Sequence, residues 1–296
     1  MKLRTLLAAV AVTAMGAMAA QGQQLSIATG GTGGVYYPLG GGFGNILGKE
    51  YPGMTATAQV TGGSVANLQL IGSGKADLCY SQVDAAWDAI NGKDKFPAKL
   101  PITALAVMYP NHMHAVTVEG TGINKIEDLK GKRVSTGSPG SATEVYAIRV
   151  LEAAGIDHEK DIKKERLGVA ESVNAIKDKK IDAFMWVGGL PTAGVTDLAS
   201  TPNTKIKLLD IAQLTKKMND KYGPLYAEAT IPASTYKGME HHGCQCQHVR
   251  GPCLQADQDH AGEAPGLGSG PQGGAQYQAG MADLQPGRHS LASRRA

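Results

Sequence analysis

The stretch that most constrains the fold is residues 25–51, LSIATGGTGGVYYPLGGGFGNILGKEY. It predicts a strand over residues 25–29, a glycine-rich turn over residues 30–34, and a helix from Pro38, because proline is favoured in a first helical turn. The spacing of the apolar residues predicts a helix face made of Leu39, Phe43, Ile46 and Leu47. A glycine-rich turn in front of a helix N-terminus favours an anion, although an unliganded tight turn has the same pattern.

The first twenty residues predict an export signal rather than a part of the fold. Lys2 and Arg4 precede an apolar run over residues 6–20, and the small side chains of Ala17 and Ala19 suit a signal peptidase. The run is short for a membrane span, and no cysteine at the junction provides for a lipid anchor. Residues 1–20 are therefore predicted to be removed, and the mature protein is predicted to be periplasmic.

Charge and cysteine usage argue against several classes of protein. The formal net charge of +3 is too small to indicate binding to nucleic acid or to a membrane surface. Cys79 is the one cysteine in the patterned part of the chain, within an apolar strand-like run, and is expected to be a small buried residue. Disulfides are therefore not expected to hold the fold together.

The first half of the chain alternates strand and helix patterns. Strands are predicted over residues 55–61 and 78–81, with Ser64 capping the helix between them and a further helix over residues 84–90. The apolar face of the Ser64 helix is predicted to carry Val65, Leu68 and Ile71. Residues 102–108 form a continuous apolar run, which predicts a strand buried on both faces. This alternation is typical of a parallel α/β sheet.

The same pattern begins again after residue 128. A strand-like step over residues 129–134 leads into a Gly/Ser turn over residues 135–141 and a helix over residues 142–154. A later helix that opens with ESVN leads to a strand over residues 183–187, which echoes SVAN and the strand over residues 78–81. We therefore predict two α/β lobes in series, residues 21–110 and 111–232, whose Gly/Ser turns open onto one cleft.

The chain changes character near Gly238. No lysine follows Lys237, no isoleucine follows Ile231 and no phenylalanine follows Phe184, so residues 233–296 are predicted to form a crossover and an aberrant tail without secondary structure. The tail contains the metal-ligand residue types His241, His242, Cys244, Cys246, His248 and Cys253. The Cys-Gln-Cys spacing is too tight for a zinc pair, so no metal site is predicted.

Catalytic patterns find little support. The glycines at residues 30–34 are not followed by Gly-Lys-Ser/Thr, and they lack the third glycine of a dinucleotide fingerprint. His112 and His114, two residues apart near the predicted lobe crossover, are expected to be surface or hinge residues. No cofactor and no catalytic residue are predicted, and an exported enzyme that uses the cleft remains the alternative.

Small-molecule binding has more support. Polar residues stand among glycines at predicted strand ends and helix starts: Thr32, Ser64, Ser81, Gln82, Ser135, Ser138 and Ser141. Their hydroxyl groups and the neighbouring N–H groups would suit a carboxylate without a dedicated cation. Tyr36, Tyr37 and Trp186 are candidates for an aromatic wall.

Residues 25–236 resemble the TAXI family, the solute-binding proteins of tripartite ATP-independent periplasmic (TRAP) transporters. The resemblance rests on IATGGTGGVYYPLGG, on TGGSVANLQLIGSGKADL with YSQVDAAW, and on STGSPGSATE. It implies a two-lobed periplasmic-binding-protein fold (type II-like) that closes over a small organic anion, often glutamate, glutamine or another carboxylate, and delivers it to a sodium-driven permease. The contacts carried over by motif are Thr32, Gly33, Gly34, Tyr36, Gly63, Ser64, Gln82, Ser138, Ser141 and Trp186.

The tail departs from this resemblance, and we predict that it is read in a shifted frame after about Gly238. Taking the last two nucleotides of each codon with the first of the next turns Met281-Ala282 into a tryptophan codon. The same shift permits DLAYKLTKTMLEK, an amphipathic helix pattern, over residues 251–263. The C-terminal part of the first lobe is then predicted to be missing, and the chain as written to be unstable.

Overall fold

The computed structural model describes residues 22–239, 244–248 and 252–256. The strands are β1 (Gln24–Ala28), β2 (Thr55–Gln59), β3 (Leu78–Tyr80), β4 (Ile102–Val107), β5 (Asn111–Val118), β6 (Arg133–Ser135), β7 (Lys163–Glu165), β8 (Ala183–Gly188), β9 (Ile206–Leu208), β10 (Tyr226–Thr230), β11 (Cys244–His248) and β12 (Pro252–Ala256). The helices are α1 (Tyr36–Glu50), α2 (Ser64–Gly72), α3 (Val83–Asn91), α4 (Ala142–Ala153), α5 (Val169–Lys177), α6 (Ala193–Ala199) and α7 (Thr215–Tyr222). Three short 3-10 helices cover Ile126–Leu129, Ala212–Leu214 and Ala233–Thr235.

The strands form two sheets, and each sheet is the centre of one lobe. Lobe 1 is built on the order β2-β1-β3-β12-β4, and lobe 2 on the order β10-β11-β5-β8-β6-β7, with β9 paired to β5. β1 runs parallel to β2 and β3, and β6 runs parallel to β7 and β8, as the alternating pattern predicted. β12 and β5 are antiparallel to their neighbours, so both sheets are mixed. The predicted two-lobed α/β fold is confirmed.

The first helix packs on its sheet through glycines as well as through Leu39 and Phe43, which are partly buried against the core of lobe 1. α1 begins at Tyr36, two residues earlier than predicted, and Pro38 still lies in the first turn. Gly40 and Gly44 are its buried residues, and a Cβ on Gly44 would stand 2.5 Å from the Ala56 carbonyl oxygen. The helix therefore lies so close to β2 that the predicted apolar face turns partly outward: Ile46 is 57% exposed.

Lobe 1 has a core on each side of its sheet, but its edge strand is exposed. The predicted helix face of Val65, Leu68 and Ile71 is buried in one core, together with Cys79. The expectation that residues 102–108 are buried on both faces is wrong, because β4 is the edge strand and Leu105 and Val107 are 51% and 45% exposed. In the described part of the chain, no helix covers these side chains.

Lobe 2 is the more completely packed half. One face of its sheet packs α4 and the 3-10 segment Ile126–Leu129 around side chains such as Met113 and Tyr146. The other face packs α5 and α6 around Phe184. Ala142 and Val145 of α4 also join the core under lobe 1, so the two lobes meet through apolar side chains.

Two segments of the tail are strands, which contradicts the prediction that the tail has no secondary structure. β11 pairs with β10 and β5 in lobe 2, and β12 pairs with β3 and β4 in lobe 1. The hydrogen bonds between strands join backbone groups, so a segment can pair as a strand even when its side chains do not show the pattern typical of a strand. The predicted export signal and the tail beyond residue 256 lie outside the described residues. Within the described part of the chain, none of the helices has the length and apolar character needed to cross a membrane.

Candidate ligand-binding site

A cavity of about 50 Å³ lies between the two lobes. Most of its wall comes from turns and helix starts at strand ends, as expected for the ligand crevice of an open α/β sheet. The lining residues are Gly30, Gly31, Gly34, Val35, Tyr36, Gly62, Gly63, Ser64, Gln82, Tyr109, Asn111, Ser138, Ser141, Ala142, Thr143, Gly168, Val169, Trp186, Val187 and Gly188. None of these side chains carries a formal charge, so polarity in the cavity comes from hydroxyl, amide and backbone groups.

The N-termini of five helices meet at this cavity. The residue before the helix or the first helical residue lines the wall in every case: Val35 for α1, Gly63 for α2, Gln82 for α3, Ser141 for α4 and Gly168 for α5. Each helix has at least nine residues and contributes a partial positive charge at its N-terminus. The helix N-termini therefore direct N–H groups and partial positive charge at the cavity, and no cationic side chain lines it. Asp84, Glu144 and Glu171 stand in the first turns of α3, α4 and α5 but outside the lining.

The lobes are closed over the cavity at a contact we call the rim, residues 61–66 against residues 138–141. Ser138 Oγ donates to the Gly62 carbonyl oxygen at 2.8 Å, and the Ala66 N–H donates to the Gly140 carbonyl oxygen at 2.9 Å. A Cβ on Gly62 would stand 2.2 Å from the Pro139 carbonyl oxygen. Only glycine at position 62 therefore allows the backbones of the two lobes to approach this closely.

The glycine-rich turn after β1 makes the second contact between the lobes. A Cβ on Gly34 would stand 2.9 Å from the Trp186 ring, and one on Gly33 would stand 2.9 Å from Ala170 Cβ. Trp186 is held by a hydrogen bond of 2.9 Å from its Nε1 to Thr192 Oγ1. The turn thus lies flat on lobe 2, and its glycines serve the closed arrangement as much as ligand approach.

The structure brings most of the predicted contacts together at the cavity: Gly34, Tyr36, Gly63, Ser64, Gln82, Ser138, Ser141 and Trp186. Two predicted contacts lie elsewhere. Thr32 is exposed outside the cavity, and the Gly33 carbonyl oxygen accepts a hydrogen bond from the Gly194 N–H of lobe 2 at 3.2 Å. The positions of Thr32 and Gly33 depend on the direction in which the turn leaves β1, and the sequence does not specify that direction.

The helix caps follow the prediction at one turn and depart from it at the other. Ser141 caps α4, since its Oγ accepts from the Glu144 N–H at 3.0 Å. Ser64 is not the predicted cap, because it is the first residue of α2 and its Oγ accepts from the Gln82 N–H at 3.1 Å. Ser64 therefore ties the start of α2 to the start of α3 beside the cavity.

Several wall residues were not predicted from the sequence, among them Tyr109, Asn111, Thr143 and Val169. Tyr109 and Asn111 belong to the segment that leads from lobe 1 into lobe 2, where no glycine or serine turn marks a site. Thr143 follows the predicted Ser141 by two residues, and proximity to that cap was the one available signal. The other wall residues reach the cavity because of how the two lobes approach each other, which the sequence does not show.

Tyrosine rings close one side of the cavity. Tyr36 stacks on Tyr80 with ring centroids 5.3 Å apart, and Tyr109 lies 6.4 Å from Tyr36 in a tilted arrangement. Burial raises the pKa of Tyr36 and of Tyr109, so both phenols stay neutral across the physiological range. These rings supply apolar wall and neutral hydroxyl groups rather than charge.

The two histidines near the crossover are buried, so the expectation of surface residues is wrong, and a hinge role stays a prediction. His114 Nδ1 bonds to the His112 carbonyl oxygen and Nε2 to the Tyr236 hydroxyl, both at 2.9 Å. With Nδ1 as the donor, Nε2 accepts from the phenol. Burial lowers the pKa of His114 to about 4 and also lowers the pKa of His112. Neither ring lines the cavity.

A buried ion-pair cluster joins the lobes away from the cavity. Arg149 of α4 bonds through Nη2 to Asp88 Oδ2 at 2.5 Å and to Asp94 Oδ2 at 3.1 Å, and its Nη1 lies 3.6 Å from Asp84 Oδ2. Nη1 also donates to the Tyr226 hydroxyl at 2.8 Å. Burial raises the pKa of Asp88, an effect that Arg149 opposes. Desolvation makes this cluster costly to form and more costly to break.

Residues 27–243 match the NMT1-like family, which is more than half of the chain. The chain belongs to the NMT1-like family. The family match includes every residue that lines the cavity. Among the described residues, no group of three or more His, Cys, Asp or Glu side chains is arranged to hold a metal ion.

Solved structures resemble this member of the NMT1-like family at low sequence identity. A protein of Bordetella bronchiseptica RB50 is 20% identical over 79% of this chain and 64% of that chain, with a TM-score of 0.51. The alkanesulfonate-binding protein SsuA from Xanthomonas axonopodis pv. citri, bound to MOPS, is 20% identical over 56% and 55%, with a TM-score of 0.41. A putative L-cystine ABC transporter protein from Listeria monocytogenes is 18% identical over 80% and 84%, with a TM-score of 0.47.

This chain covers less than two thirds of two of these proteins, 64% of the Bordetella protein and 55% of the Xanthomonas protein. At these identities the likeness concerns the fold.

Proposed function

We propose that this protein is the periplasmic solute-binding subunit of a TRAP transporter of the TAXI type. Its cavity captures a small organic anion, such as glutamate, glutamine or another carboxylate, and the closed receptor delivers it to a sodium-driven permease in the membrane. The observation that carries the proposal is the meeting of five helix N-termini at a closed cavity whose described wall has no charged side chain.

The chemistry of that wall favours an anion over a cation. Helix N-termini and hydroxyl groups present donors and partial positive charge, and an enclosed site strengthens both interactions. A hydrogen bond to a charged group contributes about 1.5–3 kcal/mol, so several together are enough for micromolar binding, about −8 kcal/mol. A cation would meet no carboxylate among the side chains that line the cavity.

The alternative is an exported enzyme that acts on a small anion in the same cleft. The described lining contains no Asp, Glu, His, Lys or Cys side chain, and these are the types that most often act as acid, base or nucleophile. A receptor needs none of them. The wall therefore supports binding better than turnover.

Tryptophan fluorescence offers a direct test of the ligand class. The chain has two tryptophans, and Trp87→Phe leaves Trp186 in the cavity wall as the single reporter. We expect a saturable change with one or more of acetate, succinate, glutarate, L-glutamate and L-glutamine, and none with putrescine. Nuclear magnetic resonance of the same mixtures should show unchanged compounds after prolonged incubation. Binding of putrescine alone, or conversion of any bound carboxylate, would refute the receptor proposal.

We also propose that the chain after about Gly238 is read out of frame, so that lobe 1 lacks part of its covering. Two observations support this. The family match ends at residue 243, close to the change in composition, and Leu105, Val107 and Met108 at the β4 edge are exposed apolar side chains. Resequencing the gene and comparing thermal melts of this chain and a frame-restored chain tests the proposal. Equal midpoints and equal ligand affinity would show that the tail is genuine.

A further inference from the structure

Two buried amide oxygens in the cavity wall have no hydrogen-bond partner in the described part of the chain. Gln82 and Asn111 are 3% and 2% exposed, and neither Gln82 Oε1 nor Asn111 Oδ1 accepts a hydrogen bond. The Tyr109 hydroxyl is unpartnered as well. We call Gln82, Tyr109 and Asn111 the floor of the cavity. Buried acceptors are normally satisfied, so these oxygens point to a ligand that donates to them.

The orientation of the Gln82 amide is set by its neighbours. Its Nε2 donates across the lobes to the Val187 carbonyl oxygen at 3.4 Å. Inverting the amide would bring two carbonyl oxygens together, so Oε1 is the atom left without a partner. Asn111 begins β5 next to His112, whose register partner is Gly188, and both amides therefore lie beside the same end of β8.

We infer that the ligand is a carboxylate that also carries a neutral hydrogen-bond donor, the N–H of a carboxamide or a hydroxyl group, directed at the floor. This inference rests on the proposed anion-binding function and narrows its ligand class to carboxylates without an ammonium group, so glutamate and glutamine fall outside the narrower class. A second carboxylate would place negative charge against the two amide oxygens. An ammonium group would face five helix N-termini, and the described wall has no carboxylate to pair with it. A neutral donor satisfies the oxygens without either conflict.

Matched compounds test the inference at two chain lengths, so that size does not hide the effect. Succinamate, succinate and 4-oxopentanoate share one carboxylate and a near-identical skeleton, and they differ at the far end, which is an amide, a second carboxylate or a methyl ketone. Glutaramate, glutarate and 5-oxohexanoate form the longer set, and 4-aminobutyrate supplies the ammonium. At one length or the other, the amide should bind at least about tenfold more tightly than the ketone, the dicarboxylate and the ammonium compound.

Variants tie the preference to the floor. Asn111→Leu removes one acceptor at nearly constant volume and should reduce the amide-to-ketone ratio to below about threefold. Gln82→Met is the second variant and should reduce the same ratio. Asn124→Leu, at an exposed asparagine away from the cavity, should keep the wild-type ratio.

The outcomes separate the inference from the proposed function. Carboxylates that bind with no preference for the amide at either length, or that bind best as the dicarboxylate or ammonium compound, would overturn the inference and leave an anion receptor. A floor variant that folds, by its thermal melt, and retains the full preference would also overturn it. Failure of every carboxylate to bind would overturn the proposed function and the inference with it.

Discussion

Gly62→Ala should weaken ligand binding by blocking the last step of lobe closure. The added Cβ would stand 2.2 Å from the Pro139 carbonyl oxygen, and reaching a tolerable 3.0 Å requires a retreat of about 0.8 Å. The same retreat would lengthen the Ser138–Gly62 and Ala66–Gly140 hydrogen bonds from 2.8 and 2.9 Å to about 3.6 and 3.7 Å, beyond useful range. Each contributes about 0.5–1.5 kcal/mol, so their loss costs the closed state about 1–3 kcal/mol.

That cost converts into an affinity loss of about 5- to 150-fold, because 1.4 kcal/mol is tenfold and the ligand is enclosed only by closed lobes. Isothermal titration with the tightest carboxylate of the panel measures the loss, and small-angle scattering measures the opening. The thermal melt should move little, since separating the lobes relieves the clash. Gly31→Ala is the matched control, because Gly31 lines the same cavity and an added Cβ there meets nothing within 4 Å. Wild-type affinity in Gly62→Ala, or an equal loss in Gly31→Ala, would refute the reasoning.

Two further predictions concern stability. Arg149→Met should lower the free energy of unfolding by about 3–5 kcal/mol in urea melts at neutral pH, because it leaves the buried carboxylates of Asp84 and Asp88 uncompensated; a loss below about 1 kcal/mol would contradict this. Part of this loss should be regained on acidification. The folded-state pKa of Asp88 is raised above its usual value of 3.8, so protonating Asp88 at low pH removes its destabilising effect on the folded protein. The second prediction concerns His114, whose folded-state pKa is about 4. Lowering the pH from 6.5 to about 4 should reduce the free energy of unfolding of the wild type by about 3 kcal/mol, because His114 binds a proton in the unfolded chain but stays largely neutral in the folded one. His114→Gln should flatten this part of the pH profile, with the lowered pKa of His112 leaving a smaller slope of the same sign, and an unchanged slope would count against the assignment.

The sequence alone determined the fold class, and it predicted part of the cavity wall. Alternating strand and helix patterns identified both sheets, and eight of the twenty residues that line the cavity were predicted as contacts, including Gly34, Gln82 and Ser141. These features are local: a proline in a first turn, a serine before a helix and a face of Val65, Leu68 and Ile71 act within a few residues. Interactions between residues that are close in the sequence can therefore be predicted from the sequence itself.

The tertiary structure decided what depends on distances between remote segments. Whether a glycine touches ligand or the opposite lobe depends on how the lobes meet, so Gly33 lies against Ala170 and outside the cavity. Leu105 is exposed because β4 is an edge strand, and the apolar composition of a segment does not show whether it lies at the edge or the centre of a sheet. Backbone pairing placed β11 and β12 in open sheet slots despite side chains with little strand signal. Gln82 and Asn111 are 29 positions apart in the sequence but lie in one cavity wall, where their amide oxygens have no hydrogen-bond partner. Only the folded structure shows which buried polar atoms have partners.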